Sequence, residues 1–149
     1  MFVDLKKAFD SVDRNLLLTK LRAGGVNKRL VKALRNFYDK TNLLVDDEPV
    51  YTNVGVVQGG ISSPLTFNIL IDVLIRELNN VATCYALADD IVIHAADEDQ
   101  LKNAIKKLEE ITAELDIAVS KDKSAILEVR RGMRRILSRP RAHGYPVVT

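Results

Sequence analysis

The sequence predicts an α+β fold in which helices pack on one face of a mainly antiparallel sheet. The chain has 149 residues, of which 47% are hydrophobic and 28% charged, so it can bury a core of ordinary domain size. Periods of 3.6 residues, typical of amphipathic helices, alternate with short apolar runs typical of strands. The order of segments is strand, helices, hairpin, helix, hairpin, helix, strand, which favours this fold class.

Helix boundaries are indicated by capping residues. The first predicted helix covers residues 13–23 and ends at Gly24-Gly25. The second runs to Tyr38, with an apolar side formed by Leu30, Leu34, Phe37 and Tyr38. A capping box with Gln100 precedes the last helix, whose stripe has the cleanest helical period: Leu101, Ala104, Ile105, Leu108, Ile111 and Leu115. The N-cap residues of these three helices are Asp13, Asn27 and Asp97.

The remaining elements are one buried helix and several short strands. Pro64 opens a helix through Leu78 that is apolar around most of its circumference, so deep burial is expected. A tight hairpin has Ala88-Asp89-Asp90 at its tip. The predicted strands are Phe2–Leu5, Leu43–Val45, Val50–Val57, Cys84–Leu87, Ile91–Ala95, Ile117–Val119 and Ser124–Val129.

The composition excludes several classes of protein. No stretch of roughly 20 apolar residues is present, so no membrane span is expected. The first ten residues carry both acidic and basic side chains, unlike a signal peptide. Cys84 is the one cysteine and has no partner for an internal disulfide, which fits a reducing, intracellular compartment. With only two histidines besides, a zinc site of histidine and cysteine is effectively excluded.

Charge is distributed unevenly along the chain. Residues 1–129 carry 16 basic and 20 acidic side chains, whereas residues 130–149 carry no acid. This basic segment is interpreted either as a contact for a polyanion or as a solvated tail. Its six arginines are Arg130, Arg131, Arg134, Arg135, Arg139 and Arg141.

Three aspartates stand where carboxylates are unusual. Asp4 lies inside an apolar strand, where an unpaired carboxylate costs several kcal/mol. Asp89 and Asp90 lie at a hairpin tip whose flanking strands read as apolar on both faces. If the two strands are neighbours, the three carboxylates converge at one edge of the sheet. An all-oxygen site suits Mg²⁺ or Mn²⁺, and two such ions are typical of phosphoryl or nucleotidyl transfer.

A glycine pair and two lysines provide further candidate binding residues. In the segment 58–64, Gln-Gly-Gly-Ile-Ser-Ser-Pro, two glycines allow close approach of the backbone to a ligand. The helix that follows favours an anion at its N-terminus, although a plain strand-to-helix turn has the same pattern. Lys121 and Lys123 follow the last helix, where a lysine either contacts a phosphate or is simply solvated.

Read in order, these segments resemble the palm of the reverse transcriptase family. Residues 2–10, Phe-Val-Asp-Leu-Lys-Lys-Ala-Phe-Asp, resemble the first palm motif, and residues 58–64 with Phe67-Asn68 resemble the second. Residues 88–90 with their apolar flanks resemble the catalytic hairpin, and residues 115–124 resemble the fourth motif. The sequences of these motifs are most similar to those of the non-LTR retrotransposon and group II intron branch, and the resemblance covers roughly residues 2–127.

The resemblance implies a palm with a ferredoxin-like core and an RNA-directed DNA polymerase activity. By that resemblance, two Mg²⁺ or Mn²⁺ ions bind Asp4, Asp89, Asp90 and the carbonyl of Leu5. The partners that the resemblance implies for this chain are an RNA template, a DNA primer and deoxynucleoside triphosphates. On the same resemblance, Phe9 lies beneath the sugar of the incoming nucleotide and disfavours a 2′-hydroxyl there. Lys123 is the lysine expected near the leaving pyrophosphate, and Lys121 is the competing candidate. Gln58 and Gly59 line the nucleotide and template pocket.

The sequence also departs from the family pattern. The family usually has an aromatic residue two positions before the Asp-Asp pair, where this chain has Leu87, with Tyr85 two residues earlier. Residues 1–129 are interpreted as a palm without fingers or thumb, and residues 130–149 as a segment leading toward a primer grip. A fragment of this kind is expected to have weak or no processive activity. The alternatives are a non-catalytic palm-like module that binds nucleic acid or protein and, more remotely, a receiver-like phosphoryl-transfer domain on a parallel sheet.

Overall fold

A computed structural model describes residues 1–57, 59–129 and 141–148, and for residues 42–45 and 141 only the backbone. In chain order the elements are β1 (Phe2–Asp4), α1 (Ala8–Ser11), α2 (Arg14–Ala23), α3 (Lys28–Asp39), β2 (Asn42–Val45), β3 (Glu48–Tyr51), α4 (Ser63–Asn79), β4 (Thr83–Leu87), β5 (Asp90–His94), α5 (Glu98–Glu114), β6 (Ile126–Leu127), β7 (Arg141–Ala142) and β8 (Tyr145–Val148). They fall into two compact units. One comprises Met1–Lys6 with Val73–Thr149, and the other comprises Lys7–Asp72.

The first unit contains an antiparallel sheet of order β1-β5-β4, which confirms the predicted α+β class. Its inner face is buried and includes Val3, Cys84, Ile91 and Ile93. Helix α5 lies against β5 and buries the predicted stripe, with Leu101 half-buried at its edge. The predicted capping box is confirmed, because Asp97 Oδ1 accepts from the Gln100 N–H at 2.7 Å and Gln100 Oε1 accepts from the Ala96 N–H at 2.7 Å.

The outer face of the same sheet is exposed although its residues are apolar. The hairpin strands read as apolar on both faces, which suggested a buried sheet centre, yet Tyr85 and Leu87 are 66% and 80% exposed. Alternation of side chains along a strand places Asp90 and His94 on this face as well, and both are exposed. Helices therefore cover one face, and the second apolar set is open in the described residues because nothing of this unit packs over it.

A second small sheet of order β6-β8-β7 completes this unit. β6 pairs in parallel with β8, with Ile126 opposite Val147, and β8 pairs with β7 across the His143-Gly144 turn. The predicted strand over residues 124–129 is thus shortened to Ile126–Leu127. A wholly solvated tail is the wrong interpretation for residues 142–148, because the Tyr145 side chain is fully buried. Five of the six arginines of the basic segment, at positions 130, 131, 134, 135 and 139, lie outside the described residues.

The second unit is built from α2, α3, the β2–β3 hairpin and the first half of α4. Both predicted N-caps are confirmed: Asp13 Oδ1 accepts from the Leu16 N–H at 2.8 Å, and Asn27 Oδ1 from the Arg29 N–H at 2.9 Å. On α3 the predicted apolar side is wrong in part, because Val31 and Tyr38 are buried while Leu30 and Phe37 are about half exposed.

Two further boundaries differ from the predictions. The predicted strand over residues 50–57 is instead β3, Glu48–Tyr51, because a two-residue turn at Asp46-Asp47 sets the hairpin register with positive φ at both positions. Helix α4 begins at Ser63 and is not buried all round, since Leu65 is 64% exposed whereas Phe67 is fully covered. None of the described helices is long and apolar enough to cross a bilayer.

Candidate active site

Asp4 and Asp90 lie directly opposite each other on neighbouring strands. β1 and β5 pair antiparallel with the register Phe2–Val92, Val3–Ile91 and Asp4–Asp90. Residues opposite each other in an antiparallel pair project to the same face of the sheet, so both carboxylates belong to the open face. Asp4 is half-buried and Asp90 is exposed, so solvent reaches both.

The hydrogen-bonding pattern makes this a close pair. Met1 and Ile93 exchange both backbone hydrogen bonds, at 2.7 and 2.8 Å. Since hydrogen-bonded and non-hydrogen-bonded pairs alternate, Asp4 and Asp90 form a non-hydrogen-bonded pair, in which Cβ atoms are about 4.5–5.5 Å apart. Two like charges in directly opposite positions destabilise a sheet, and a bound cation removes that repulsion.

Asp89 occupies the turn rather than a strand. The tip was predicted to hold Ala88, Asp89 and Asp90, but the connection has only two residues, and Asp90 already pairs with Leu87. Ala88 adopts φ 55°, which is unusual for a residue with a Cβ. Across residues 1–57, 59–129 and 141–148, the His, Cys, Asp and Glu side chains form no group of three or more arranged to hold a metal ion. The carboxylates brought together are therefore the Asp4–Asp90 pair, with Asp89 adjacent in the chain.

The backbone of Asp4 is held on its other side by the turn after α5. The Asp4 N–H donates to Ser124 Oγ at 3.0 Å, and the Asp4 carbonyl accepts from the Ser120 N–H at 2.8 Å. Both serines are buried, and Leu5 forms a single bridge with Val119. β1 is therefore fixed between β5 and the 118–125 segment, which restricts where the Asp4 carboxylate can move.

The same turn distinguishes the two candidate lysines. Lys121 Nζ forms an ion pair with Glu109 Oε1 at 2.8 Å and lies 5.4 Å from the ring centroid of Tyr145. Lys123 is exposed and forms no ion pair within the described part of the chain. Lys121 is thus engaged in a contact with Glu109 and Tyr145, whereas the Lys123 side chain is exposed to solvent.

Two other titratable side chains in this unit are structural. Burial raises the pKa of the Cys84 thiol to about 11, so the thiol stays protonated at neutral pH and is a poor nucleophile. Burial, and then the neighbouring Glu109 carboxylate, raise the pKa of Tyr145 to about 12. Neither group is suited to proton transfer near pH 7.

Phe9 and Gly59 come together in the second unit. The Phe9 ring stacks on Phe67 with centroids 4.4 Å apart and an angle of 21° between the planes. An open pocket of about 410 Å³ is lined by Phe9, Gly59, Gly60, Ser63 and Pro64. Gln58, the other predicted member, lies outside the described residues.

The glycine pair is required by the geometry of this pocket. Gly59 has φ +79°. A Cβ at Gly60 would lie 2.8 Å from Ser63 Oγ, and that hydroxyl donates to the Val57 carbonyl at 2.6 Å. The turn therefore closes tightly onto the first turn of α4, a geometry that both the ligand-binding and the plain-turn interpretation of this segment share.

Sequence reasoning missed the residues that support these groups. Ser120 and Ser124 read as ordinary turn residues, and their spacing of four around two lysines was the available signal. Arg14 follows an N-cap and reads as a surface residue, yet it is 6% exposed. Its Nε donates to the Gly55 carbonyl at 2.7 Å and its Nη1 to the Thr52 carbonyl at 2.6 Å.

The Asp4–Asp90 pair thus lies beside the β4–β5 turn, on the face of the sheet that the helices of this unit leave uncovered. Residues 1–137 match the family described as "Reverse transcriptase (RNA-dependent DNA polymerase)", and the chain belongs to this family.

Curated relatives agree with the family assignment. The chain is 30% identical over 135 residues to the "Retrovirus-related Pol polyprotein from type-2 retrotransposable element R2DM" of Drosophila melanogaster, which covers 81% of this chain and 13% of that protein. It is 28% identical over 144 residues, 90% of this chain, to the "Putative 115 kDa protein in type-1 retrotransposable element R1DM" of the same organism. A polyprotein from the type-1 retrotransposable element R2 of Popillia japonica is 33% identical over 85 residues, 52% of this chain. The chain spans 13 to 14% of the length of these relatives.

Proposed function

We propose that this chain carries the catalytic carboxylates of an RNA-directed DNA polymerase, which adds deoxynucleotides to a primer 3′-hydroxyl along an RNA template. The observation that carries the proposal is the register of Asp4 opposite Asp90 on the open face of the β1-β5-β4 sheet. Membership in the reverse transcriptase family supports it. On this proposal, residues 1–129 form a palm with a ferredoxin-like core, and residues 130–149 lead toward a primer grip.

The donor set fits a hard divalent cation. Magnesium usually takes one or two protein carboxylates and completes its shell with water and phosphate oxygens. Asp4 and Asp90 supply two carboxylates from rigid strands, and Asp89 and the Leu5 carbonyl are the proposed additional ligands. Two Mg²⁺ or Mn²⁺ ions held there would stabilise charge on the attacking and leaving oxygens of a phosphoryl displacement.

Other residues of the chain are proposed to orient the substrates. Phe9 is held by stacking on Phe67, and a fixed ring beneath the sugar excludes a 2′-hydroxyl by steric contact. Gly59, with Gln58 beside it in the chain, is proposed to contact the nucleotide and template through the backbone. Lys123, free of ion pairs within the described residues, is proposed to neutralise the leaving pyrophosphate.

Two alternatives from the sequence remain to be compared with this proposal. A receiver-like domain needs a parallel sheet, whereas the strands that carry the three aspartates pair antiparallel. A non-catalytic palm-like module is favoured by one observation, namely that the three carboxylates are not gathered into one ligand group in the described residues. Metal binding separates this module from a polymerase.

The test is a Mn²⁺ titration of the 149-residue chain, in which free ion is followed by its electron paramagnetic resonance signal. We expect wild-type protein to bind Mn²⁺ and the Asp4→Asn, Asp89→Asn and Asp90→Asn variants to lose that binding. Asp116→Asn is the matched control, because Asp116 is exposed and its φ of 54° suits asparagine equally well. Equal titration curves for wild type and the three site variants would refute the proposal and leave the non-catalytic module.

A further inference from the structure

The β2–β3 hairpin is an exposed part of the second unit. Its base is fixed to α2, because the Arg14 side chain donates to the Thr52 carbonyl at 2.6 Å and the Arg14 N–H donates to the Asn53 carbonyl at 3.0 Å. Beyond this base all four residues of β3 are exposed, including the apolar side chains of Val50 and Tyr51. A two-stranded hairpin on which nothing packs is only marginally stable in water. The exposed hairpin therefore indicates a surface that a partner covers.

The tip of this hairpin is acidic. Asp46 and Asp47 form its two-residue turn, with φ of 51° and 65°, and Glu48 is the first residue of β3. All three side chains are exposed, and none forms an ion pair with a residue that the structure describes. Turns of this geometry favour glycine at the second position, so Asp47 adds both backbone strain and repulsion between like charges. We call these three residues the acidic tip.

The α2–α3 hairpin of the same unit has the opposite charge. Residues 14–38 contain seven basic side chains and no acidic one. Four of the seven line a groove of about 330 Å³, beside the buried side chains of Leu18 and Val31. We call this groove the basic groove, and its cations are Arg22, Lys28, Lys32 and Arg35.

The basic groove retains its charge at a cost to helix stability. Lys28 is the first residue of α3, where a cation is unfavourable with the helix dipole, and it repels Lys32 at spacing four. Arg35 follows at spacing seven, so the three cations share one side of α3. All four groove cations are exposed, and none pairs with an acidic side chain in the described part of the chain. A sequence that accepts these penalties indicates a requirement for positive charge at this place.

The two surfaces complement each other. We propose that the acidic tip of one copy of this chain binds the basic groove of a second copy. The three carboxylates then neutralise cations of the groove, which removes the repulsion within each set. A nucleic acid in the basic groove would leave the acidic tip unneutralised and Val50 and Tyr51 exposed, so the observations favour a second copy. This self-association is additional to the proposed polymerase function and needs no metal ion.

A contact between two different surfaces has a consequence that can be tested. Reciprocal contacts close a two-fold dimer, whereas one-way contacts continue into a ring or a filament. In both cases a variant that keeps only one of the two surfaces cannot associate with its own kind. It can still pair with a variant that keeps the other surface.

The test is sedimentation velocity of the full 149-residue chain, treated with nuclease and studied at concentrations up to the millimolar range. The tip variant, Asp46→Asn/Asp47→Gly/Glu48→Gln, removes three charges and introduces the Asn-Gly pair that such turns favour. The groove variant is Lys28→Gln/Lys32→Gln/Arg35→Gln. We expect the average mass of the wild type to rise above that of a monomer with concentration, and each variant alone to associate at least roughly tenfold more weakly. An equimolar mixture of the two variants should form a 1:1 heterodimer and stop at two chains.

Two control variants change the same number of charges elsewhere. They should associate like the wild type, and circular dichroism checks the folding of all four variants. Raising the salt concentration from about 0.05 to about 0.5 M should weaken association of the wild type, because exposed ion pairs are screened. The control variants are Glu110→Gln/Glu114→Gln/Asp116→Asn and Lys102→Gln/Lys106→Gln/Lys107→Gln.

Four outcomes overturn the proposal. A wild type that stays monomeric at every concentration would exclude self-association. A mixture of the tip and groove variants without heterodimer, beside a wild type that associates, would place the contact on other surfaces. Equal weakening in the control variants would mean that only net charge matters. Association that disappears on nuclease treatment would mean that a nucleic acid bridges the copies.

The outcome is independent of the polymerase proposal. Asp90→Asn should lose Mn²⁺ binding and keep the self-association of the wild type. The tip and groove variants should bind Mn²⁺ like the wild type and lose self-association. If Mn²⁺ binding fails in the wild type and the mixed variants still form a heterodimer, the proposed catalysis is wrong and the contact between acidic tip and basic groove stands.

Discussion

Replacing Arg14 with methionine tests the most buried charge of the second unit. The Arg14 side chain is 6% exposed and donates to three carbonyl oxygens, of Gly55 at 2.7 Å, Thr52 at 2.6 Å and Tyr38 at 3.4 Å. Its guanidinium carbon also lies 5.0 Å from the ring centroid of Tyr38. One side chain therefore joins α2, α3 and the segment that follows β3.

The expected loss of stability follows from the two short hydrogen bonds of Arg14, those to the Gly55 and Thr52 carbonyls. A hydrogen bond to a charged group contributes about 1.5–3 kcal/mol, so the two together contribute roughly 3–6 kcal/mol. Methionine fills a similar volume and does not require desolvation of a guanidinium, which offsets part of that sum. We expect Arg14→Met to lower the free energy of unfolding by about 3 kcal/mol. Arg14→Lys keeps the charge without the planar fork and should lose about half as much.

The assay is urea unfolding followed by circular dichroism, with the midpoint and slope compared among the three proteins. A loss below about 0.5 kcal/mol for Arg14→Met, which is the range of ordinary surface substitutions, would refute the reasoning. The order wild type, lysine, methionine is part of the prediction. A lysine variant less stable than the methionine variant would mean that charge burial, rather than lost hydrogen bonding, dominates at this position.

Three further predictions concern the candidate site and its support. Gly60→Ala should destabilise the protein by about 1–3 kcal/mol in thermal unfolding, because its Cβ meets Ser63 Oγ at 2.8 Å; an unchanged melting temperature would contradict the tight turn. Ser124→Ala removes the acceptor of the Asp4 N–H and should weaken Mn²⁺ binding more than Ser124→Thr does, as titration of both variants will show. The pKa of Tyr145 is raised to about 12 in the folded protein, so the stability that its protonated form contributes is complete below pH 10 and is lost between pH 10 and 12. Tyr145→Phe should therefore flatten the decline of unfolding free energy in that window, and an equal decline in both proteins would show that Tyr145 is not its source.

Local signals predicted the fold well where a short stretch of sequence determines the structure. The caps at Asp13, Asn27 and Asp97 were predictable because each side chain bonds to a backbone N–H two or three residues ahead. The β4–β5 hairpin was predictable from its apolar strands and tight turn, whereas the pairing of β1 with β5 entered the sequence analysis only as a condition, which the Asp4–Asp90 register meets.

The errors arise where contacts between distant parts of the chain determine the structure. Burial of Leu30 or Val31 on α3 depends on which side faces α2, and the two sides have similar apolar content. The hydrogen bond from the Asp4 N–H to Ser124 Oγ joins residues 120 positions apart, so no local sequence pattern predicts it. The 145–148 strand was missed because it pairs with residues 126 and 127, and the arginines before it suggested solvent instead.

The two-residue connection between β4 and β5 also limits how this hairpin can change in evolution. Side chains alternate between faces along a strand, so a single-residue insertion or deletion within β5 between Asp90 and Ile93 would leave either the carboxylate or the apolar residues on the wrong side. Length variation in this protein should therefore accumulate in other connections, while the span from Leu87 to Ile93 keeps a constant number of residues. An alignment of natural variants can be inspected for gaps at this place before any experiment is done.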